Sequence, residues 1–580
     1  MNSETPESAK AIRQVADASL RVEKLSELPP FSRLLTDGGP NAVLRLPSAI
    51  EKHLCAIETG VKRAIILFDV DKQALVRPFI SQLRGKLIAE KFTFERSEIP
   101  CAVQVIEQLV EDARTDQDIQ DKGEDHGISQ SKAREIFESW VALAVQEKAT
   151  DIHVQVVNNI AEVKLRVDGE LEFIRDQQGG VYTPLQAERA VAWAYNNASG
   201  KGSNSNSQFS TGENLYCMIA AREVGGKRVA MRYQSIKGWA GIKVVCRLLY
   251  VDIDAPTLTY EQLGYAQSHI KQLKSASNTP SGTIIFAGVT GSGKTTTLKT
   301  FIETHPDNGR DAFYSIEDPV EYPLRGVHQI PIQRDLLDRK GSQAKYAEVV
   351  AGLMRADPSC VLMGEIRDPA TAISAQQIVE TGHMACGTVH AHLVSGIVPR
   401  LTNEEIGMNR DVLTNPNILT LLVYQALVPK LCPHCKINAN QFQPSMSDAE
   451  HVFEVLDNLE QRFNLSRENF FFKRIGGCTK CKKRGTAGLT VVAEILTPDR
   501  SWLNLIRGSM DYEAMMYYRS KSDGSFTTPD MNGKTVFEHA LYKSFTGLID
   551  PRNCERFDSF ERFEILNDKD RGALDRHTLS

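Results

Sequence analysis

The chain has 580 residues, too many for one hydrophobic core, and its length predicts roughly three or four domains. Its net charge of −5 argues against a nucleic-acid-binding protein, because such proteins usually carry a basic surplus. No apolar run approaches the roughly 18–20 residues that span a bilayer, and residues 1–8 lack a signal-peptide pattern. Most of the eleven cysteines are scattered, which favours a reducing compartment. We therefore expect a cytoplasmic protein without direct membrane insertion.

Three regions precede the domain that carries the recognisable motifs. Residues 1–125 show no recognisable chemistry, and the acidic run at residues 111–126 has the composition of a linker. Residues 126–250 predict an α+β domain, and residues 251–259 predict a linker to a domain at residues 260–580 with alternating strands and helices. The elements predicted within the α+β domain are a helix at 131–145, strands at 151–156 and 161–169, a loop at 200–212, and β-rich stretches at 215–231 and 241–249.

The most informative motif is a phosphate loop at residues 288–295, which matches Gly-x-x-x-x-Gly-Lys-Thr. A buried strand is predicted before it and a helix after it, so that backbone N–H groups and the helix N-terminus face an anion. Lys294 would reach the β- and γ-phosphates of ATP, and the Thr295 hydroxyl would bind Mg²⁺. The alternative is a glycine-rich turn that matches by chance. The predicted nucleotide-binding residues are Gly288, Val289, Thr290, Gly291, Ser292, Gly293, Lys294, Thr295 and Thr296.

Three polar residues stand at the ends of later predicted strands. Glu365 follows a strand and Gly364, and we predict that it orients the attacking water; Glu317, at the end of an earlier strand, would be a second acid. The alternative for both is an ion pair with an arginine such as Arg367. His390, at the tip of another strand, is predicted to sense the γ-phosphate, since an imidazole can donate to a phosphate oxygen; the alternative is a histidine with a structural role only.

These segments resemble the four boxes of the secretion-ATPase superfamily of type II secretion and type IV pilus machines. The boxes are the Walker A loop at 288–295, an Asp box at 315–322, an atypical Walker B at 361–368 and a His box at 381–390. The resemblance covers roughly residues 130–500. It implies a RecA-like P-loop ATPase domain preceded by a PAS-like α+β domain, a homohexamer, and a polytopic inner-membrane platform protein as partner. The protein would then be peripheral at the inner membrane through its partners.

The resemblance also extends upstream of the phosphate loop. Residues 149–154 and 165–169 look like two motifs of the family's N-terminal domain, whose arginines reach a nucleotide in the same or a neighbouring subunit. Arg232 and Arg247 suit that role because guanidinium grips phosphate oxygens bidentately, although either could instead pair with a local carboxylate. Residues 239–243 lack the Glu that the family commonly has here, and 391–392 are Ala-His where Thr-Asn is common. These departures indicate an outlying branch.

Two Cys-x-x-Cys knuckles, 42 residues apart, complete the set of motifs. Four thiolates form a closed, structural Zn²⁺ site, whereas the alternative is two redox pairs or unrelated thiols. The zinc ligands would be Cys432, Cys435, Cys478 and Cys481, in a zinc module at about residues 430–483. The metal would hold together the two ends of the excursion, the segment between the knuckles at residues 436–477. In the family, such an insertion is usual in assembly and secretion ATPases and generally absent from retraction ATPases.

The combined prediction is a hexameric ATPase motor that powers type IV pilus assembly, with ATP, Mg²⁺ and Zn²⁺ as ligands. Residues 1–125 would dock it to its partners. The alternatives are a type II secretion motor, a conjugative thin-pilus motor, a DNA-transport motor of the same superfamily, and a scaffold that binds ATP without turning it over. A basic stretch at residues 480–484 is better explained by a solvated or partner-facing patch than by nucleic acid.

Overall fold

The computed structural model describes residues 21–566 except 23–27, 30, 32, 37–42, 45, 48, 61, 95–97, 108, 111–126, 158, 198–207, 253–255, 333–338 and 444–448. The predicted linker at 111–126 lies outside the described residues. So do most of the predicted loop at 200–212 and the middle of the segment at 251–259. The chain divides into two compact units, Met1–Val251 and Asp252–Ser580.

The first unit begins with a four-stranded sheet whose strands follow the order β1-β2-β3-β4. Its elements are β1 Arg33–Leu34, β2 Leu54–Gly60, β3 Arg63–Asp69, a 3₁₀ turn Val70–Lys72, α1 Gln73–Ala89 and β4 Glu98–Cys101. β3 and β4 are parallel, so α1 is the crossover of a β-α-β unit. α1 buries Val76, Ile80, Leu83 and Leu87, a spacing of three and four residues that forms one apolar face.

The second sheet of this unit has seven strands in the order β7-β6-β5-β11-β10-β9, with β8 paired to β6, and every pairing is antiparallel. Its strands are β5 Asp151–Val157, β6 Ile160–Val167, β7 Glu170–Phe173, β8 Val181–Tyr182, β9 Leu215–Val224, β10 Lys227–Gly238 and β11 Gly241–Tyr250; the helices are α2 Gly127–Gln146 and α3 Pro184–Asn197. Every second residue of β6 is buried. This is an α+β arrangement, as predicted, while the likeness to a PAS domain stays a prediction.

The β-rich stretch predicted at residues 215–231 is divided between two strands, β9 and β10. β9 and β10 form a hairpin, because Gly225 and Gly226 adopt φ values of 56° and 72° between them. Two consecutive residues with positive φ make the turn that matches the twist of paired strands, and glycine adopts it without a Cβ clash.

The second unit is built on a seven-stranded sheet of order β14-β13-β15-β16-β12-β17-β20, in which six strands are parallel and β20 is antiparallel to β17. Apolar residues of β12 alternate between two cores: Ile284 and Phe286 belong to one, and Ile285 and Ala287 to the other. The sheet is therefore covered on both faces, which is the α/β architecture that the sequence predicts.

The strands and helices of the second unit have the following bounds. The strands are β12 Gly282–Ala287, β13 Phe313–Glu317, β14 Val327–Pro331, β15 Cys360–Met363, β16 Met384–Val389, β17 Leu419–Leu431, β18 Ile437–Asn438, β19 Phe471–Phe472 and β20 Thr486–Leu496. The helices are α4 Tyr260–Leu263, α5 Gln267–Ala276, α6 Lys294–Glu303, α7 Arg339–Leu353, α8 Pro369–Glu380, α9 Ile397–Thr402, α10 Arg410–Leu413, α11 Ala449–Gln461, α12 Arg500–Arg507, α13 Asp511–Ser520 and α14 Val536–Phe545. The 3₁₀ turns are Ala439–Gln441, Arg467–Asn469 and Pro551–Arg556.

Within the described part of the chain, no helix is both long enough and apolar enough to cross a membrane.

Candidate functional site

The phosphate loop leaves the buried strand β12 and enters helix α6, as the sequence predicts. At Gly288 a Cβ atom would lie 2.4 Å from the Gln425 carbonyl oxygen and 2.5 Å from Ser292 Oγ, so only glycine fits. Gly293, with a φ of 81°, is the N-cap of α6, and no side chain caps this helix. Among the described residues, the first-turn N–H groups of α6 therefore receive no capping bond from an N-cap side chain, which suits an incoming phosphate.

Lys294 lies folded over the loop. Its Nζ donates to the Gly288 carbonyl at 2.7 Å and to the Val289 carbonyl at 3.1 Å. Burial lowers the pKa of Lys294 to about 8, against the opposing effect of the Glu365 charge. Thr295 and Thr296 are exposed in the first turn of α6, where a hydroxyl can bind Mg²⁺.

The other predicted loop residues divide by exposure. Val289, Thr290 and Gly291 are exposed, whereas Ser292 is buried. Its Oγ has no hydrogen-bond partner among the described residues.

Glu365 and His390 lie beside this loop. His390 Nε2 is 3.0 Å from Glu365 Oε1, and its Nδ1 is 3.1 Å from the Gly288 carbonyl oxygen. Both side chains are partly exposed, so solvent reaches them. The histidine thus joins the predicted catalytic carboxylate to the first residue of the phosphate loop, because the parallel strands β12, β15 and β16 end at one edge of the sheet.

Arg367 contacts two carboxylates at the same edge. Its guanidinium donates to Asp318 Oδ2 at 2.9 Å and lies 3.7 Å from Glu365 Oε2. The ion pair weighed as the alternative for Glu365 is therefore present, but it is long and engages only one of the two carboxylate oxygens.

Glu317 ends β13 and is held by neutral donors. Ser315 Oγ donates to Glu317 Oε1 at 2.6 Å, and Gln329 Nε2 donates to the same oxygen at 2.9 Å. Burial raises the pKa of this carboxyl above its usual range. At Gly364 a Cβ would lie 3.3 Å from the Ile316 carbonyl oxygen and 3.4 Å from Glu317 Cα. The backbone of β13 therefore lies close to Gly364 and leaves little room for a side chain at this position.

Arg232 and Arg247, in the first unit, are cross-strand partners on β10 and β11. Arg247 Nε donates to Asp151 Oδ1 at 3.0 Å, the local pairing weighed as the alternative to a nucleotide contact. Asp151 is buried and also lies 3.8 Å from Arg166 Nε. The two candidate arginines therefore share one face of the sheet with a buried carboxylate and a third guanidinium.

The four knuckle cysteines come together at the base of the insertion between β17 and β20. All four Sγ atoms lie within 4.8 Å of one another, and three pairs are 3.7–3.9 Å apart. Four sulfurs placed ~2.3 Å from one zinc are ~3.8 Å apart, whereas a disulfide needs about 2.05 Å. The backbone N–H groups of Cys478 and Gly485 each donate to Cys481 Sγ at 3.1 Å, which favours thiolate. The cluster therefore has the ligands and spacing of a tetrahedral metal site.

Two residues next to the loop were not predicted from sequence. Gln425 on β17 is fully buried and donates to the Ser292 carbonyl at 2.8 Å, while Tyr265 donates to Gln425 Oε1 at 2.6 Å. The only signal available in the sequence was one amide inside the apolar run Leu419–Leu431.

Glu494 fixes the loop that follows His390. It is buried on β20 and accepts from the N–H groups of Val394 and Val536, both at 2.8 Å. Burial raises the pKa of this carboxyl to about 7. The segment leaving the central strand β16 is thus tied to the edge strand β20.

Comparison with known families bears on this site. A family model described as "Type II/IV secretion system protein" matches residues 128–538, more than half of the chain. The chain belongs to the type II/IV secretion system protein family. The predicted resemblance to the secretion-ATPase superfamily is confirmed.

Two relatives of this chain carry names that state a role in secretion or pilus assembly. Type II secretion system protein E of Klebsiella pneumoniae is 28% identical over 365 residues, which are 63% of this chain and 65% of the relative. Type IV pilus assembly ATPase TfpB of Acinetobacter baylyi is 27% identical over 368 residues, 63% of this chain and 57% of the relative. The chain therefore spans less than two thirds of the length of these two relatives.

Two solved structures align with most of this chain at low sequence identity. The pilus retraction motor PilT with bound ADP aligns with a TM-score of 0.46 at 19% identity, covering 74% of this chain and 99% of PilT. The Legionella pneumophila ATPase DotB gives a TM-score of 0.46 at 18% identity, covering 73% and 95%.

Proposed function

We propose that this secretion-system family member hydrolyses Mg²⁺-ATP and that the energy drives assembly of a type IV pilus. The observation that carries the proposal is the junction at the phosphate loop, where His390 contacts both Glu365 and the Gly288 carbonyl at 3.0 and 3.1 Å. Transfer of a phosphoryl group to water needs a loop that binds phosphate, a cation and a carboxylate that solvent can reach. The phosphate loop, Lys294 and Glu365 supply these three groups at one edge of the sheet.

The residues take separate parts in that reaction. Lys294 exchanges its two loop carbonyls for phosphate oxygens, and Glu365 orients the attacking water. Glu317 assists as a second acid, with its pKa raised by burial. His390 holds Glu365 and reports on the γ-phosphate. Thr295 would hold Mg²⁺, which when bound neutralises the developing charge on the phosphate oxygens. We further propose that Arg232 and Arg247 contact nucleotide, in the same or a neighbouring subunit.

The working form that we propose is a cytoplasmic homohexamer at the inner membrane. Its partner would be a polytopic platform protein that feeds pilin subunits into the filament, and residues 1–125 would dock to partners. The names of the type II secretion and type IV pilus relatives support a motor of this class. We also propose that the tetracysteine cluster holds a structural Zn²⁺ ion.

The deciding experiment measures Mg²⁺-ATP turnover and ATP binding for wild type, Glu365→Gln and a matched control. Glu404→Gln removes an exposed carboxylate at a position outside the proposed site. We expect Glu365→Gln to lower kcat at least about 100-fold while ATP binding is retained, and Glu404→Gln to resemble wild type. Equal turnover in all three would remove Glu365 from catalysis, and ATP binding without turnover in wild type would favour a scaffold.

Type II secretion is the second candidate, because the Klebsiella pneumoniae relative carries that name. Deleting the gene in its host separates the two. Loss of surface pili with normal protein export supports pilus assembly, and the converse supports secretion.

A further inference from the structure

Gln425 lies directly beneath the phosphate loop. β17 pairs with β12 as far as Ala287, which faces Tyr424, so Gln425 stands beside the point where the loop begins. Its backbone oxygen would lie 2.4 Å from a Cβ at Gly288, and its side-chain nitrogen 3.3 Å from a Cβ at Gly293. One residue thus lies against both the first and the last glycine of the loop.

The amide of Gln425 is hydrogen-bonded to protein groups at both ends. Its Nε2 donates to the Ser292 carbonyl at 2.8 Å, and its Oε1 accepts from the Tyr265 hydroxyl at 2.6 Å. The same hydroxyl lies 3.2 Å from Thr297 Oγ1 on α6. Gln425 and Thr297 are fully buried and Tyr265 nearly so, so an amide that lost either bond would find no solvent in its place.

Tyr265 is itself placed by its neighbours. Gly264 adopts a φ of 101°, and a Cβ there would lie 2.1 Å from Thr490 Oγ1. Its carbonyl accepts from the buried Lys543 Nζ at 2.6 Å. The backbone before Tyr265 is therefore fixed, and the hydroxyl cannot follow the loop if the loop moves.

We propose that Gln425 is a positioning residue for nucleotide binding: its bond to the Ser292 carbonyl holds that peptide plane so that the following N–H groups face the phosphates. The bond turns the carbonyl inward, and the adjoining N–H of Gly293 consequently points the opposite way. This inference rests on the proposed ATP-binding role of the loop and adds a residue from a different strand to it.

The test compares Gln425→Met with Gln425→Glu by fluorescent ATP-analogue binding and by KM and kcat. Methionine keeps the length of the side chain but makes neither bond, and we expect about a tenfold rise in Kd and KM with kcat much less affected. A protonated glutamic acid can donate to Ser292 and accept from Tyr265, whereas a carboxylate cannot donate. We therefore expect Gln425→Glu to bind like wild type at about pH 5.5 and progressively more weakly toward pH 8.5.

Tyr518→Phe is the control, because it removes a buried side-chain hydrogen bond away from the phosphate loop, in which the tyrosine hydroxyl donates to the Lys534 carbonyl at 2.8 Å. It should leave Kd and KM unchanged. Wild-type Kd in folded Gln425→Met, or no pH-dependent difference between Gln425→Glu and wild type, would overturn the proposal. Should Gln425→Met not fold, the pH series of Gln425→Glu still decides. Analogue binding requires no hydrolysis, so this test can fail or succeed independently of the Glu365→Gln result.

Discussion

His390 is the residue on which the geometry of the candidate site depends most directly. It leaves the buried strand β16 and bridges Glu365 and the Gly288 carbonyl. A carboxylate that is partly exposed has several rotamers available, and a hydrogen bond to an imidazole restricts it to fewer. The histidine is therefore expected to act on the orientation of Glu365 and to have little part in the affinity for ATP.

We predict that His390→Ala lowers kcat about 10- to 100-fold and changes the Kd for ATP by less than about threefold. The reason is that the variant keeps the phosphate loop but releases Glu365. Single-turnover kinetics and equilibrium ATP binding measure the two effects separately. His392→Ala is the control, since His392 is an exposed histidine two residues away. An equal loss of kcat in both variants would contradict the role of His390.

The residues of the candidate site that the sequence singled out all stand at a recognisable sequence signal. Lys294, Glu365 and His390 each stand at the end of a buried strand or in a motif, so a polar residue follows an apolar run. Gln425 lies inside such a run, and its partner Tyr265 is 160 residues away in sequence. Whether Gln425 and Tyr265 lie beside the phosphate loop depends on which strands pair, and the local sequence pattern does not contain that information.

At the scale of elements, the tetracysteine cluster closes the long excursion between β17 and β20. Leu431 and Thr486 are register partners, and the two knuckles lie just beyond this pair. Within the excursion are α11 and the short strands β18 and β19, which pair with each other in a two-stranded sheet separate from the main sheet. A metal held by both knuckles would fix the base of the excursion from both sides.

We predict that the purified protein carries about one zinc ion per chain and that Cys478→Ser loses it. Because metal binding contributes on the order of 10 kcal/mol in small zinc modules, a strong chelator should also lower the Tm. Metal analysis and thermal unfolding check the two expectations. Cys217→Ser, which alters a buried cysteine of the first unit, should keep its zinc. Metal-free wild type with a chelator-independent Tm would contradict a zinc site.

The two units differ in how much of their structure could be predicted from the sequence. In the second unit, alternation of apolar strands with helices predicted a parallel α/β sheet, because a helix that crosses between parallel strands leaves that pattern. In the first unit, the hairpin of β9 and β10 was missed although Gly225 and Gly226 are a recognised turn signal. The four-stranded sheet β1–β4 was not predicted, because residues 1–125 carry no recognised motif and β1 has only two residues.

At the scale of the whole molecule, charge separates the proposed motor from a DNA-transport motor. The chain has 68 basic and 73 acidic residues, so any positive region is local. One such region is the loop at residues 480–484, which contains Cys481 and follows Cys478 by two residues. A protein that neutralises several phosphates needs a larger basic surface and shows a steep dependence of binding on salt.

We therefore predict that double-stranded DNA does not raise ATP turnover and that adding it leaves the salt dependence of turnover unchanged. A DNA motor would instead be stimulated at about 50 mM salt and lose most of that stimulation at about 200 mM, because bound counterions must be released for each phosphate contact. Turnover with and without DNA at both salt concentrations distinguishes the two. Replacing Lys480, Lys482, Lys483 and Arg484 together by serine is the matched variant. DNA stimulation that disappears in this variant would assign the basic loop to nucleic acid and make DNA transport the better account of the molecule.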